Sequence, residues 1–316
     1  MPSVSSRTAS PPSRAVLCCG LATLDVVQTV DHVPAADQKV QARGLAVSSG
    51  GPAANAAVTA ATLGCPATLV TRAGGSVLGR LVVADLEAHG VAVRDLGGAD
   101  DAPAVSTVLV TAGTGERAVV SVNAALAPHG AALSDAEAAV TGAAVLLVDG
   151  HHLDLATRLA RAARAAGVPV LLDGGSWKPG LEALLALTDV ALLSADFRLP
   201  GPGDGRAPDA LAAVAALGPR LVARSRGGAA IQVHGADDVA VPPVAVVDTL
   251  GAGDVLHGAL AAWLAHHGAR DAATLRQGLA FAARVASASC AADGARGWQR
   301  DADVVHGARS ALTRDV

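Results

Sequence analysis

Short apolar segments alternate with helical segments along most of this chain, and this alternation constrains the possible folds more than any other feature of the sequence. Ala15–Gly20 is predicted to be a buried strand, Pro52–Leu63 an alanine-rich helix, and Ala67–Thr71 the next strand. Leu78–His89 is amphipathic and again helical. Strands that alternate with helices pair in parallel, and the helices cover the faces of their sheet. The sequence therefore predicts an α/β fold built on a mainly parallel sheet.

The same alternation resumes further along and continues to the C-terminal end. Further strands are predicted at Val145–Asp149, Val168–Asp173, Val190–Ser194, Arg220–Arg224 and Ala230–His234. Further helices are predicted at Leu155–Ala166, Leu181–Leu187, Asp209–Leu217, Val255–His267, Asp271–Ala291 and Ala302–Leu312. The sequence contains no internal repeat and no interdomain linker, so we expect one domain over residues 15–316, preceded by a disordered Ser/Pro-rich tail at 1–14.

Two stretches interrupt the alternation with extended segments. Val26–Ser49 contains strand-like pieces but no convincing helix, and Val105–Thr111 and Ala118–Val122 flank a glycine-containing turn that predicts a hairpin. We expect these stretches, at about residues 26–49 and 105–123, to form a small separate β-sheet. Ligands of α/β folds bind at the carboxyl ends of the strands, so we interpret this small sheet as a lid over a ligand site.

The composition excludes several classes of partner. Of the 316 residues, 51% are hydrophobic but only 2% are aromatic, so the core must consist mostly of Ala, Val and Leu. A net charge of −4 with 16% charged residues gives no basic field, which argues against nucleic acid or an anionic membrane surface as partner. The apolar run at residues 15–24 is too short for a membrane span. We therefore expect a soluble protein.

The four cysteines have neither C-x-x-C spacing nor the pattern of a disulfide framework. They are Cys18, Cys19, Cys65 and Cys290. Cys18 and Cys19 are adjacent in a predicted strand, so their side chains should point to opposite faces of the sheet. Such cysteines are typical of a reducing compartment, and we expect a cytoplasmic location.

A glycine-rich stretch precedes one of the C-terminal helices. Gly251 and Gly253 carry no side chain that would keep a ligand from the backbone, and Asp254 follows at once. A helix that begins here directs free amides and its positive dipole end at an anion, with the carboxylate of Asp254 beside it. This arrangement suits phosphoryl transfer to a hydroxyl group. A glycine turn capped by Asp248 or Thr249 before an ordinary helix has the same spacing, so the pattern alone leaves both interpretations open.

A second glycine pair precedes the first predicted helix. Gly50 and Gly51 let a ligand contact the backbone, and Asn55 in the first turn offers both a donor and an acceptor, as sugar hydroxyls require. Asp25 follows the first apolar run and is a further candidate for a polar ligand. A solvated Asp and a first-turn Asn in a plain turn are the alternative interpretations.

Two other loops carry candidate residues. The loop Ser225–Gly228 offers backbone amides and the guanidinium of Arg226 to nucleotide phosphates, although a plain hairpin explains it equally well. No Gly-Lys-Ser/Thr follows this loop or Gly251–Gly253, which excludes a P-loop, and no G-x-G-x-x-G follows the first strand. His151 fits substrate contact or simple exposure better than metal binding, and His257 is expected to pack inside the structure.

The order of these motifs resembles the ribokinase-like (PfkB) sugar kinases. Gly50-Gly51-x-x-x-Asn55 is similar to the first signature of that family, and Asp248–Asp254 matches its D-T-x-G-A-G-D signature throughout. The resemblance extends from about Ala15 to the C-terminus. It implies a three-layer α/β/α sandwich around a mainly parallel sheet, with a β-sheet lid over the sugar.

The resemblance also implies a role for each motif. Asp254 would be the general base for the acceptor hydroxyl, and the amides of Gly251, Ala252 and Gly253 would bind the transferring phosphoryl group. The residues that match sugar-binding positions are Asp25, Gly50, Gly51 and Asn55. Those that match ATP-binding positions are Thr249 and Ser225, Arg226, Gly227 and Gly228 of the nucleotide loop. ATP would arrive with Mg²⁺, and a monovalent cation such as K⁺ is common near the anion site.

The chain also departs from the family pattern. Ser194-Ala195-Asp196-Phe197 stands where the family has N-x-x-E, so only Asp196 remains as a candidate magnesium ligand. Ser225 replaces a usual glycine, while Lys178 falls near a position that is often basic and close to the phosphates. Lys39 and Asn123 fall where the sulfofructose-kinase branch has lid and substrate contacts, but His151 stands where that branch has Arg.

The sequence therefore predicts an ATP-dependent sugar kinase that phosphorylates a hydroxyl, most simply the primary hydroxyl of a small furanose or ketose-like sugar. Two alternatives stay open. A nucleoside kinase of the same fold would need a larger, often aromatic acceptor pocket, which the composition disfavours. A sugar- or nucleotide-binding homologue without catalysis would explain the missing N-x-x-E. The resemblance further implies a homodimer formed through the lid.

Overall fold

The computed structural model describes residues 14–122, 134–200, 210–268 and 270–314. Its strands are β1 (Val16–Cys19), β2 (Thr23–Val30), β3 (Gly44–Gly50), β4 (Ala67–Thr71), β5 (Val91–Asp95), β6 (Ala104–Thr111), β7 (Arg117–Ser121), β8 (Val145–Val148), β9 (Val170–Gly174), β10 (Val190–Leu193), β11 (Leu221–Arg226) and β12 (Ala229–Val233). Its α-helices are α1 (Pro52–Thr62), α2 (Val77–Ala88), α3 (Ser134–Val140), α4 (Leu153–Ala166), α5 (Leu181–Leu185), α6 (Ala210–Ala215), α7 (Ala252–His267), α8 (Ala272–Ser289) and α9 (Ala302–Leu312). A 3₁₀ helix spans Gly297–Arg300.

The strands form two sheets. The large sheet has the order β12-β11-β10-β9-β8-β1-β4-β5, and every neighbouring pair is parallel except β11 and β12. The small sheet has the order β3-β2-β6-β7 and contains all four predicted lid strands. The short segment after β1 leads directly into β2, and β3 leads directly into α1. The lid is therefore joined to the main domain at the carboxyl end of β1.

Helices cover both faces of the large sheet. One hydrophobic cluster joins the sheet to α1, α2, α7, α8 and α9, and a second joins its other face to α3, α4, α5 and α6. Cys18 belongs to the first cluster and Cys19 to the second, which confirms that these neighbours point to opposite faces. The predicted three-layer α/β/α sandwich is confirmed. Among the described residues, no helix is long and apolar enough to cross a membrane.

The main differences from the sequence prediction concern weak patterns. The strand β5 and the helix α3 were not predicted. Because β5 lies at the edge of the sheet, only Val91 along it is fully buried. Its last two residues, Arg94 and Asp95, are polar. The lid strand β2 begins three residues before the predicted start, so Asp25 lies within the lid rather than at the end of a buried strand. The other predicted elements agree with the structure within three residues at each end where the structure describes them.

Candidate active site

The N-terminus of α7 has the geometry of a candidate anion site. Gly251 precedes the helix with a left-handed backbone (φ 72°), and a Cβ there would lie 2.5 Å from the Cβ of Ala295, so both the backbone and the space require glycine. In the first turn, Val255 donates to the Gly251 carbonyl at 2.8 Å. Within the described part of the chain, the Gly253 amide has no backbone acceptor, and no atom lies within 4 Å of a Cβ placed on Gly253. The amide is free, and the space beside it is open.

Asp254 lies one residue beyond this free amide. Its Oδ2 accepts a hydrogen bond from Nδ2 of Asn55 at 2.7 Å. Burial raises the pKa of Asp254 above its ordinary value, although the Asn55 hydrogen bond and the nearby ring of His257 oppose the shift. The carboxylates of Asp149 and Asp25 raise this pKa further. A carboxylate with a raised pKa is a better proton acceptor than an ordinary surface Asp.

Four of the predicted sugar-binding residues come together at the start of α1, namely Asp25, Gly50, Gly51 and Asn55. Asn55 is buried in the first turn of α1, and a Cβ on Gly51 would lie 2.4 Å from the Leu21 carbonyl oxygen. A Cβ on Gly50 would lie only 1.9 Å from Oδ2 of Asp25, so the Asp25 carboxylate lies directly against the Gly50 backbone. The hydroxyl of Thr23 donates to Asp25 at 2.6 Å. The lid strands β2 and β3 thus bring these polar groups to the start of α1.

A cavity of about 460 Å³ lies beside the anion site. Ser225, Gly227, Gly228, Thr249 and Gly253 line it together with apolar residues of α8 and of the segment before α7. An apolar cavity that ends at a free helix N-terminus has the form required by a nucleoside with phosphates.

Arg226 does not line this cavity. Its guanidinium donates instead to the Ala230 carbonyl and to Asp238, with distances of 2.7 and 2.9 Å from Nη2.

Charged residues at the ends of β8 and β9 form a second part of the candidate site, in which the sequence analysis named Lys178 and His151 but not Asp149 and Asp173. Asp149 accepts hydrogen bonds from the amides of Leu21 (2.8 Å), Ala53 (3.1 Å) and His151 (2.8 Å), and so fixes the start of α1 against β8. Burial lowers the pKa of Lys178, while the carboxylates of Asp149 and Asp173 oppose the shift. Polar residues at the carboxyl ends of two predicted strands were the signal that could have found this cluster.

Asp173 and His257 belong to the same cluster. Burial raises the pKa of Asp173 to about 7, opposed by His257, whose Nδ1 lies 3.4 Å from Oδ2 of Asp173. The His257 ring is buried between two carbonyl oxygens, those of Gly253 at 2.7 Å from Nδ1 and Leu192 at 3.0 Å from Nε2. His257 therefore packs inside the structure, as expected, and holds the first turn of α7 against β10.

Two of the predicted substrate-binding residues make none of the contacts described above. Lys39 is exposed on the loop between β2 and β3, and Asn123 lies outside the described residues. The ring of Phe197, at the position of the family's Glu, is buried and contacts Trp177 edge-on with 6.3 Å between the ring centroids.

The residues present do not fit a metal site built by the protein. Asp196 is exposed, and in the described ranges no group of three His, Cys, Asp or Glu side chains could hold a metal ion. Near the anion site, Asp248 forms an ion pair with Arg117 of the lid. Its carboxylate also accepts hydrogen bonds from the amides of Leu250 (2.8 Å) and Gly294 (2.9 Å).

Several known proteins are similar to this chain in sequence and in fold. Ribokinase from Arabidopsis thaliana is 27% identical over 258 residues, covering 77% of this chain and 68% of that protein. Ribokinase from Bacillus subtilis (strain 168) is 26% identical over 293 residues, covering 90% of this chain and 95% of that protein. The structure of Arabidopsis thaliana ribokinase complexed with ribose and ATP has a TM-score of 0.75 at 23% identity, covering 96% of this chain and 100% of that chain, and thus the same fold.

A family model extends this similarity over nearly the whole chain. The model, described as pfkB family carbohydrate kinase, matches residues 13–300. The match confirms the predicted resemblance and the predicted class of enzyme, a kinase whose phosphoryl acceptor is an alcohol group. The chain belongs to the pfkB family of carbohydrate kinases.

Proposed function

We propose that this kinase transfers the γ-phosphoryl group of ATP to a primary hydroxyl of a small sugar, with Asp254 as the general base. The observation that carries the proposal is the position of Asp254, which is hydrogen-bonded to Asn55 and adjacent to the free amide of Gly253. An acceptor hydroxyl bound to Asp254 would therefore lie beside the site for the transferring group.

The residues of the site divide the reaction between them. Asp25, Gly51 and Asn55 hold the sugar, and the amides of Gly251 and Gly253 bind the phosphoryl group together with the amide of Ala252, which in this structure donates to the Thr249 carbonyl at 3.3 Å. The sugar oxygen forms a bond to the γ-phosphorus as the bond to the ADP oxygen breaks, and Asp254 accepts the hydroxyl proton. Positioning and charge stabilisation provide most of the catalysis in such transfers. Magnesium would be held by the nucleotide phosphates and neutralise their charge, because the described side chains build no metal site and Asp196, the one candidate ligand that the sequence offered, is exposed.

The substrate class follows from the lining of the site. The relatives are named ribokinases, and the sugar side of the site is formed by carboxylates, glycines and an amide rather than by aromatic rings. This favours a small polyhydroxy sugar over a nucleoside. The intact contact between Asn55 and Asp254 favours an active enzyme over a binding protein without catalysis.

A substrate panel tests the proposed function. ADP release would be measured with ATP and Mg²⁺ against ribose, fructose, a sulfonated ketose and adenosine. Turnover with a sugar supports the proposal, whereas turnover with adenosine alone would establish a nucleoside kinase. A thermal shift with a sugar but no ADP release from any substrate would establish the binding protein instead.

Replacing Asn55 tests the orientation of the base. Asn55→Ala removes the hydrogen bond that lowers the pKa of Asp254, so this pKa should rise and the acid limb of kcat/KM should move to higher pH. At neutral pH we expect kcat/KM to fall about 10- to 100-fold, the effect of losing a hydrogen bond to a charged group. Thr62→Ala on the same helix, which removes only a hydroxyl bonded to the Val58 carbonyl, is the control. An unchanged acid limb in Asn55→Ala would contradict the assignment.

We further propose that two copies associate through their lids. Apolar side chains are exposed on both outer strands of the lid sheet, where Leu45, Val47 and Val120 lie on one face and Val119 on the other. Val120 is 76% exposed, although a lone lid would be expected to carry polar residues there.

A charge on the lid face that carries Leu45, Val47 and Val120 tests the dimer. Val120→Glu is expected to convert the protein to monomers, because it would bury a carboxylate in an apolar interface. Sedimentation velocity at micromolar concentration measures the change. Val77→Glu is the matched control, because Val77 is 71% exposed on α2 rather than on the lid. Dimers that survive Val120→Glu, or a wild-type monomer, would refute association through this face.

The cysteines support the proposed cytoplasmic location. All four are free thiols, and Cys18, Cys19 and Cys65 are buried. Burial raises the pKa of the Cys65 thiol to about 11, so the thiolate that would react or bind metal is disfavoured.

A further inference from the structure

Arg296 belongs to no recognised motif, yet it reaches the site. It immediately precedes the 3₁₀ helix near the C-terminus, and its side chain is only 14% exposed. Its Nη2 donates to the carbonyl oxygen and the hydroxyl of Ser49, each at 2.8 Å, and to Oδ1 of Asn55 at 3.3 Å. Its Nη1 donates to Oδ2 of Asp85 at 2.8 Å. One guanidinium thus joins the lid strand β3, the helix α1 and the helix α2.

The two neighbours of Asn55 determine the orientation of its amide. Arg296 can only donate hydrogen bonds, and the carboxylate of Asp254 can only accept them. The amide satisfies both neighbours only with Oδ1 toward Arg296 and Nδ2 toward Asp254. A flipped amide would direct its NH₂ group at a cation and its oxygen at a carboxylate. Arg296 therefore selects the orientation in which Asn55 donates to Asp254.

Asp85 holds Arg296 in place. Burial alone would raise the pKa of Asp85, but hydrogen bonds from the hydroxyl and amide of Ser49, together with the Arg296 guanidinium, hold it below its ordinary value. The distances from Oδ2 to the Ser49 hydroxyl and amide are 2.6 and 2.9 Å. Asp85 is therefore ionised at neutral pH and forms a charged pair with the guanidinium. Such a pair fixes the side chain more firmly than neutral hydrogen bonds would.

We propose that Arg296 is a positioning residue that orients the general base Asp254 through the amide of Asn55. This inference rests on the proposed function, because the role is defined relative to Asp254 as base. The guanidinium of Arg296 also binds Ser49 at the end of β3. The same side chain therefore links the orientation of the base to the position of the lid.

A double-mutant cycle tests this role. Arg296→Leu is expected to lower kcat about 10- to 100-fold, as expected for a lost charged hydrogen bond, with little change in the KM for ATP. The acid limb of kcat/KM should move to higher pH, as in Asn55→Ala. The other charged groups around Asp254, which are Asp25, Asp149, Asp173 and His257, stay unchanged. In the Asn55→Ala background, Arg296→Leu should have almost no further effect on kcat, because the amide through which Arg296 orients Asp254 is already removed.

Controls separate positioning from stability. Arg309→Leu removes an arginine that donates to the Thr62 carbonyl outside the site, and it should leave kcat unchanged. Arg296→Lys keeps the charge and should recover part of kcat, and it replaces Arg296→Leu in the cycle if the Leu variant does not fold. Wild-type kcat in Arg296→Leu, or effects that add fully to those of Asn55→Ala, would overturn the inference. Absence of turnover by the wild type with every sugar would instead refute the proposed function.

Discussion

Asp254→Asn is expected to lower kcat by about 10³-fold, within the range that general-base catalysis contributes. The amide has almost the same shape as the carboxylate and still accepts the hydrogen bond from Asn55, but it cannot take the proton of the acceptor hydroxyl. The KM for the sugar should change little, because Asp25, Gly51 and Asn55 remain. Steady-state assays of ADP release with the sugar that gives turnover measure both quantities.

The same variant has an expected effect on stability. The pKa of Asp254 is raised in the folded protein, so the native state binds this proton more tightly than the unfolded chain does. The wild-type protein therefore loses stability from this group as the pH rises from the unfolded pKa through the folded pKa. An asparagine cannot ionise, so the Asp254→Asn variant does not lose stability in this way. Its Tm at neutral pH should equal or exceed that of the wild type.

An exposed control makes the Asp254 result specific. Asp237→Asn, at a side chain that is 90% exposed, should change neither kcat nor Tm. Near wild-type kcat in Asp254→Asn would exclude Asp254 as the base. A large fall in both kcat and Tm would show that the carboxylate has a structural role instead.

The sequence predicted those parts of the molecule that depend on local patterns. Buried strands such as Val145–Val148 are continuous apolar runs, and the glycine spacing before Asp254 is local to one turn. These patterns were enough to predict the layered fold and the glycine turn at the start of α7. The edge strand β5 was missed because a strand at the edge of a sheet is buried on few positions, so its hydrophobic pattern is weak.

The contacts that orient the base could not be predicted, because they join distant parts of the chain. Arg296 and Asn55 are separated by 241 positions, and Asp85 and Arg296 by 211. Each of these residues taken alone resembles an ordinary polar residue of a helix or loop. Only the packing of β3, α1 and α2 against the C-terminal segment brings them together, and no local periodicity records that packing.

Gly253→Val is expected to lower kcat/KM for ATP by about 10²- to 10³-fold, because its side chain would keep the transferring phosphoryl group away from the free amide, with an effect comparable to losing that donor. The structure separates folding from function at this position. A Cβ on Gly253 meets no protein atom within 4 Å, and Gly253 is in the first turn of α7, where valine is a slightly better helix former than glycine. Tm should therefore stay at or slightly above the wild-type value. The added side chain occupies the space that the phosphates of ATP need.

Gly307→Val provides the matched control for this loss. Gly307 is exposed on α9, and a Cβ there also meets no atom within 4 Å, so the substitution changes helix propensity in the same way without touching the site. It should leave the kinetics unchanged. Calorimetry should show that the Gly253→Val variant still binds the sugar but binds ATP much more weakly. The valine side chain fills only the space for the phosphates and leaves the sugar side of the site open. Wild-type kinetics with ATP in Gly253→Val would mean that the phosphoryl group binds elsewhere, and the N-terminus of α7 would then be only the start of a helix.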